Sequence, residues 1–221
     1  MATAADKRRA LRGMLGDPRF SYGPAREVES AVFGVPPTLP LDVPKPSLDA
    51  ILARVSRRAK AGKERESCLQ VVKLLHGEAV ELNLCATEEP FLPLQLGLGI
   101  STSFCAGLIL SDQHRVWVPA TNYRRTPLGR EALRFAFSVM HEQSRALNDD
   151  LRAAELSFVQ FPHPKRSARR CTITVAGEMR LFSYDQLSEM VRETYLIWDD
   201  VRQEHEERRR ATGTDGADWW G

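Results

Sequence analysis

The 221-residue sequence lacks the short motifs that would assign a chemical activity. It contains no G-x-S-x-G nucleophile turn, and its single G-x-G, at Gly97 and Gly99, is followed by neither a third glycine nor a lysine in register. These glycines alternate with apolar residues, which is typical of a strand and not of a phosphate loop that opens a helix. The sequence therefore predicts no phosphate-binding loop.

Cysteine is scarce as well. The four cysteines are Cys68, Cys85, Cys105 and Cys171. No two form a C-x-x-C pair, which argues against a structural zinc site of the usual spacing, and we expect reduced core thiols. The five histidines fall in different segments, so no cysteine–histidine catalytic pair is indicated. We expect no cofactor and no metal.

The chain has no long hydrophobic run. No segment approaches the ~20 apolar residues that a membrane span needs, and no apolar core of a signal peptide follows the charged N-terminus. We therefore expect a cytoplasmic protein without membrane contact. The Ala- and Arg-rich composition indicates a bacterial source with a GC-rich genome.

A strong excess of one charge sign is also missing. Lys and Arg number 31, Asp and Glu number 29, and the net charge is +2. Such a chain does not coat nucleic acid through its net charge, so any anion binding must come from local clusters of basic residues. The hydrophobic fraction of 43% is ordinary for a globular protein, so most of the chain is expected to fold.

Proline and glycine divide the chain into an arm, a domain and a tail. Residues 1–46 are rich in both, and we expect them to form an N-terminal arm, extended over 34–46, that straps across the core or a partner. A single α+β domain is predicted over residues 47–210. The residues 211–221 are expected to form a flexible tail.

Apolar periodicity predicts helices, then three or four strands, a helix, two or three strands and a final helix. Ser47 is a good cap for the first helical region, which Gly62 interrupts and Gly77 ends. Because the strands lie close together in sequence, antiparallel pairing is favoured. The expected fold class is α+β: an antiparallel sheet of about five to seven strands packed with three to four helices.

Alternation of apolar and polar residues locates the strands. They are predicted over residues 79–84, 92–100, 104–110, 115–118, 156–161, 171–175 and 179–182. Thr126 and Pro127 are typical of the start of the helix that follows the fourth strand.

A capping box formed by Ser183 and Gln186 begins the last helix. Apolar residues then recur at helical spacing, and we expect them to be buried in the core. They are Leu187, Met190, Val191, Thr194, Ile197, Trp198 and Val201.

The basic loop between two of the late strands is the best candidate for a functional surface. Cations held between two strands have fixed positions, which suits an acidic protein or a phosphate backbone. Two further pairs of arginines extend this basic surface, one before the middle helix and one in the first helical region. The candidate binding residues are Lys165, Arg166, Arg169, Arg170, Arg124, Arg125, Arg57 and Arg58.

We therefore expect a non-catalytic accessory protein that binds an acidic partner, either a protein or a nucleic acid. The sequence leaves open whether the protein forms a homo-oligomer. The alternative is a metal-dependent nuclease or another hydrolase whose carboxylates converge only in the fold. Its candidate carboxylates are Asp112, Glu131, Glu155, Glu178, Asp199 and Asp200.

Overall fold

The computed structural model describes residues 3–13, 22–34, 46–112, 114–164 and 167–211. Its helices are α1 (Ala4–Arg12), α2 (Gly23–Arg26), α3 (Glu29–Phe33), α4 (Leu48–Arg58), α5 (Lys63–Glu81), α6 (Arg130–Gln143) and α7 (Tyr184–Ala211), with a 3₁₀ turn at Asp149–Leu151. Its strands are β1 (Cys85–Glu88), β2 (Leu94–Leu96), β3 (Ile100–Thr102), β4 (Leu108–Ser111), β5 (Val116–Asn122), β6 (Glu155–Gln160) and β7 (Thr172–Val175).

Five strands form one sheet in the order β1-β4-β5-β6-β7. All neighbours in it pair antiparallel except β5 and β6, and β2 pairs antiparallel with β3 in a separate hairpin. The parallel pair, with Val118 opposite Leu156, is possible because α6 provides the long crossover that such a connection needs. The predicted α+β class is confirmed, with this one parallel pair as an addition.

Helices cover both faces of the five-stranded sheet. On one face α2 to α5 pack against strand residues such as Trp117 and Val159, and on the other α6 packs against Val118 and Phe158. Successive strand residues point to opposite faces, so β5 and β6 are buried from both sides. These two strands form a fixed platform for the loops at their ends.

Two short helices, α2 and α3, lie within the segment that the sequence predicts as an arm. Their apolar residues belong to the core and pack against α4 and α5. The buried ones are Pro24, Ala25, Val32 and Phe33, and Val28 between the two helices is buried as well. The extended arm and the flexible tail are predictions that fall mainly on residues 35–45 and 212–221, outside the described residues.

The strand predicted over 79–84 is wrong. Helix α5 continues through Gly77 to Glu81, with Leu75 and Ala79 buried at helical spacing and Val80 65% exposed. Apolar and polar residues alternate at the end of this helix and imitate a strand, but the buried face follows the helical period.

The single strand predicted over 92–100 is a hairpin. Strands β2 and β3 pair with Leu96 opposite Ile100. The chain reverses through Leu98 and Gly99, whose φ angles of 57° and 71° lie in the left-handed region. Glycine is favoured there because it has no β-carbon.

Most of the remaining elements agree with the sequence predictions. Strands β4 and β5 form the predicted hairpin, and β6 and β7 lie within one residue of their expected ranges. Ser47 caps α4, and Ser183 and Gln186 form the reciprocal capping box of α7. Two predictions are wrong: α6 begins four residues after Thr126, and residues 179–182 form no strand.

The apolar stripe of α7 is only partly buried. Leu187 and Val201 are 0% and 1% exposed, but Met190, Val191 and Trp198 between them are half-buried. The expectation that the whole stripe lies in the core is wrong, because α7 is 28 residues long and packs along only part of its length against α6 and β2.

Replacement of Trp198 by Ala is therefore expected to lower the free energy of unfolding by about 1–2 kcal/mol, less than the ~3–5 kcal/mol of a fully buried tryptophan. The matched control is Leu187→Ala, which is expected to cost about 2–5 kcal/mol because that side chain is fully buried. Denaturant melts of both variants measure this difference. A larger loss for Trp198→Ala than for Leu187→Ala would contradict the partial burial.

Replacement of Gly97 by Ala is expected to destabilise the protein by about 1–3 kcal/mol. A β-carbon at Gly97 would lie 2.3 Å from the backbone oxygen of Ser188 and 2.8 Å from the backbone nitrogen of Arg192, so α7 would have to move. Gly77→Ala is the control, because nothing lies within 4 Å of the added carbon and alanine favours helix. Thermal melts in which both variants are stabilised would refute this packing.

Candidate functional site

Two loops that carry predicted binding residues lie side by side. The backbone N–H of His163 donates to the carbonyl of Arg125 at 3.0 Å, and the N–H of Arg170 donates to the carbonyl of Pro162 at 3.3 Å. Arg124, Arg125 and Arg170 are exposed. We call these three arginines the loop patch. It forms where it does because the parallel strands β5 and β6 end at the same edge of the sheet.

The loop patch is anchored to the helical layer on one face of the sheet. The guanidinium of Arg125 donates to the hydroxyl of Ser67 on α5 at 3.2 Å. Arg57 and Arg58, the other predicted pair, are exposed on the last turn of α4. Arg58 forms an ion pair with Glu27, which neutralises part of its charge.

Arg169 is buried, in contrast to its neighbours in the basic loop. It is 3% exposed, and its guanidinium donates to the carbonyl of Phe161 at 3.1 Å and to the carbonyl of Tyr123. It also donates to the hydroxyl of Tyr22 at 3.3 Å. Arg169 therefore holds the loop in place and presents little charge to a partner. Lys165 and Arg166, the first two residues of the predicted cluster, lie outside the described residues.

A buried carboxylate, Glu29, lies beneath these loops. It is 5% exposed and accepts hydrogen bonds from the hydroxyls of Tyr123 at 2.6 Å and Thr121 at 2.5 Å. Burial raises the pKa of Glu29, and the two hydrogen bonds and nearby Arg26 oppose that rise. Burial and the neighbouring Glu29 raise the pKa of Tyr123 well above its ordinary value. Sequence reasoning missed Glu29 because it lies in the proline-rich segment and belongs to no motif.

Three of the four cysteines give no activated thiol. Burial raises the pKa of both Cys105 and Cys171 to about 12 and raises that of Cys68, so these thiols are protonated at neutral pH. Cys68 is buried as expected, but Cys85 is exposed, so the expectation of four core thiols is wrong for that residue.

The carboxylates proposed for a nuclease form no metal-binding group in the part of the chain that the structure describes. Asp112 accepts from the backbone N–H groups of His114 and Arg115, which lower its pKa and fix a turn. Glu131 and Glu178 line a shallow cavity, but arginines share its walls. Among the described residues no group of three or more His, Cys, Asp or Glu could hold a metal ion. The described residues therefore give no support to the nuclease alternative.

A second candidate surface is an apolar cleft of about 580 Å³ between α1, α6 and α7. Phe135 of α6 and Met190, Val191 and Trp198 of α7 line it. Sequence reasoning assigned these α7 residues to the core, since periodicity alone does not separate a covered stripe from an open one. In the described part of the chain, no helix is both long and apolar enough to cross a membrane.

The pH dependence of stability should report on Glu29. Its raised pKa means that the protonated form stabilises the fold below the ordinary value of 4.5, and that this contribution is lost as pH rises through the folded-state pKa. Glu29→Gln stays neutral at every pH. The stability of this variant relative to the wild type is therefore expected to increase as pH rises from about 4 to about 7. A difference between their denaturant melts that is constant over this range would contradict the burial of the carboxylate.

Comparison with known proteins identifies relatives along the whole chain. No solved structure matches. A protein of Caulobacter vibrioides (strain NA1000 / CB15N), named DNA replication inhibitor toxin SocB, is 33% identical over 221 residues, which cover 100% of this chain and 92% of the relative. The family model described as "Sliding clamp-binding bacterial toxin SocB" matches residues 1–209. This chain therefore belongs to the SocB family of sliding clamp-binding bacterial toxins.

Proposed function

We propose that this protein binds a bacterial DNA sliding clamp and thereby inhibits DNA replication. The family description names a sliding clamp as the partner, and the Caulobacter relative is named as an inhibitor of replication. The family match spans residues 1–209, which include all the described strands and all but the last two residues of α7. This match along almost the whole chain is the observation that carries the proposal.

Inhibition by binding needs a complementary surface and no reacting group. A protein bound to the clamp excludes other proteins from the surface that it covers. The protonated state of the half-buried Cys105 thiol supports this mode of action, as does the pairing of Asp112 within its own turn. We infer that the toxin acts by occupying its target.

We infer that the loop patch is the main contact surface for the clamp. Among the ion pairs of the described residues, none involves Arg124, Arg125 or Arg170. The positive electrostatic field of a guanidinium group is not cancelled when the group has no acidic partner. Such groups attract an acidic protein during encounter. Lys165 and Arg166 add two cations to the same loop, on the basis of the sequence alone.

Arg57 and Arg58 form a secondary part of the proposed surface. They are exposed at the end of α4, which packs against α5, the helix that anchors Arg125. The ion pair of Arg58 with Glu27 reduces the charge that this site offers, so we expect a smaller effect here than at the loop patch.

The proposal predicts that the variant Arg124→Ala/Arg125→Ala/Arg170→Ala binds the purified sliding clamp of the source bacterium about tenfold more weakly than the wild type. The loss is expected mainly in the association rate and is expected to shrink as salt is added, because exposed charges steer encounter. Biolayer interferometry with immobilised clamp measures the association rate and the dissociation rate. Matched thermal melts establish that the variant is folded.

The control removes the same charge elsewhere, as Arg152→Ala/Arg180→Ala/Arg192→Ala. These arginines are exposed and lie outside the loop patch, so we expect a change of less than about threefold. Equal losses of affinity for both variants would refute the assignment of the loop patch as the contact surface, but would leave the proposal of clamp binding in place. A wild-type protein that binds DNA or RNA and does not bind the clamp would overturn the proposed function and favour a nucleic-acid partner.

A further inference from the structure

Helix α1 is attached to the rest of the described structure with very little apolar burial. None of its residues is buried, and its main contact is with α7. Leu11 is its one large apolar side chain that is half-buried, at the edge of the apolar cleft. A nine-residue helix is marginal in isolation, so the attachment to α7 maintains it, aided by a capping box of Thr3 and Asp6.

Ion pairs provide that attachment. The ammonium group of Lys7 lies 2.8 Å from the carboxylate of Glu193, and Arg12 lies 2.6 Å from that of Glu204. Arg8 pairs with Glu204 as well and lies 3.7 Å from Asp200. All these groups are partly exposed to solvent, and such pairs contribute little individually and are weakened by salt. Helix α1 is thus held mainly by charge.

The surface that α1 partly covers is apolar and belongs to the partly buried apolar stripe of α7. Lys7 and Leu11 lie on one side of the cleft, whereas Phe135, Met190 and Trp198 form its walls. Removal of α1 would widen this cleft and would leave Glu193, Asp200 and Glu204 of α7 without the cations of α1. An apolar cleft bordered by acidic residues fits an amphipathic helix with one apolar and one basic face.

We propose that α1 is a displaceable cover, and that the face of α7 beneath it binds a basic amphipathic helix of another protein. Charge complementarity identifies the occupant: Glu193, Asp200 and Glu204 favour a segment with Lys or Arg beside large apolar side chains. Helix α1 already supplies such a segment in weak form, with Leu11 and four cations, three of which pair with α7. This surface lies on different elements from the loop patch, and it does not depend on clamp binding.

Hydrogen–deuterium exchange of the wild-type protein tests the cover. In about 0.05 M salt the amides of α1 are expected to be protected, and in about 1 M salt they should exchange at least about tenfold faster, because ion pairs are screened over about 3 Å there. The amides of α6 serve as the internal reference and should not change. Protection of α1 that is insensitive to salt would overturn the proposal.

A peptide with the sequence of residues 3–13 tests the occupant. It is expected to bind the variant Lys7→Glu/Arg8→Glu/Arg12→Glu, whose own α1 is repelled from α7, at least about tenfold more tightly than it binds the wild type. A peptide carrying Leu11→Asp should lose this binding. Equal binding to variant and wild type, or none to either, would refute the docking surface.

Sedimentation of the wild type separates a foreign partner from a second copy. We expect a monomer whose mass does not change between low and high salt. A dimer that dissociates as salt is added would show that α1 of a second copy occupies the cleft, and would overturn the assignment to another protein.

Discussion

A buried arginine, Arg169, fixes the part of the molecule that we assign to partner binding. A buried charge is costly unless it is hydrogen-bonded, and its guanidinium donates to the carbonyls of Phe161 and Tyr123. Those carbonyls follow β6 and β5, so the bonds join the ends of two parallel strands. Arg124 directly follows Tyr123 in the sequence, and Arg170 directly follows Arg169. They are held at the surface because their neighbours are buried.

Arginine thus appears in three settings with different consequences. Arg169 is buried and structural, Arg124 is exposed without an acidic partner among the described ion pairs, and Arg12 is exposed but paired with Glu204 on α7. A field from an exposed cation reaches an approaching partner, whereas the field of a paired cation is largely cancelled. The loop patch therefore suits encounter with an acidic protein, and α1 suits reversible attachment.

Local sequence signals predicted local structure well. The caps at Ser47 and Ser183 and the hairpin of β4 and β5 follow from residue type and spacing, and so does the α+β class. Contacts between segments that lie far apart in the sequence could not be predicted from residue type and spacing. The turn beside Gly97 depends on packing against α7, and the burial of Arg169 depends on Tyr22 and Tyr123, which lie far from it in sequence. The family assignment follows from the match along residues 1–209 and from no motif that the sequence analysis identified.

We propose that the loops at the ends of β5 and β6 contact a sliding clamp. The most direct measurement is hydrogen–deuterium exchange of this protein with and without saturating clamp. We predict that residues 122–129 and 162–171 become protected in the complex, while exchange in α1 is unchanged. Protection confined to other elements, or no protection anywhere, would contradict the claim.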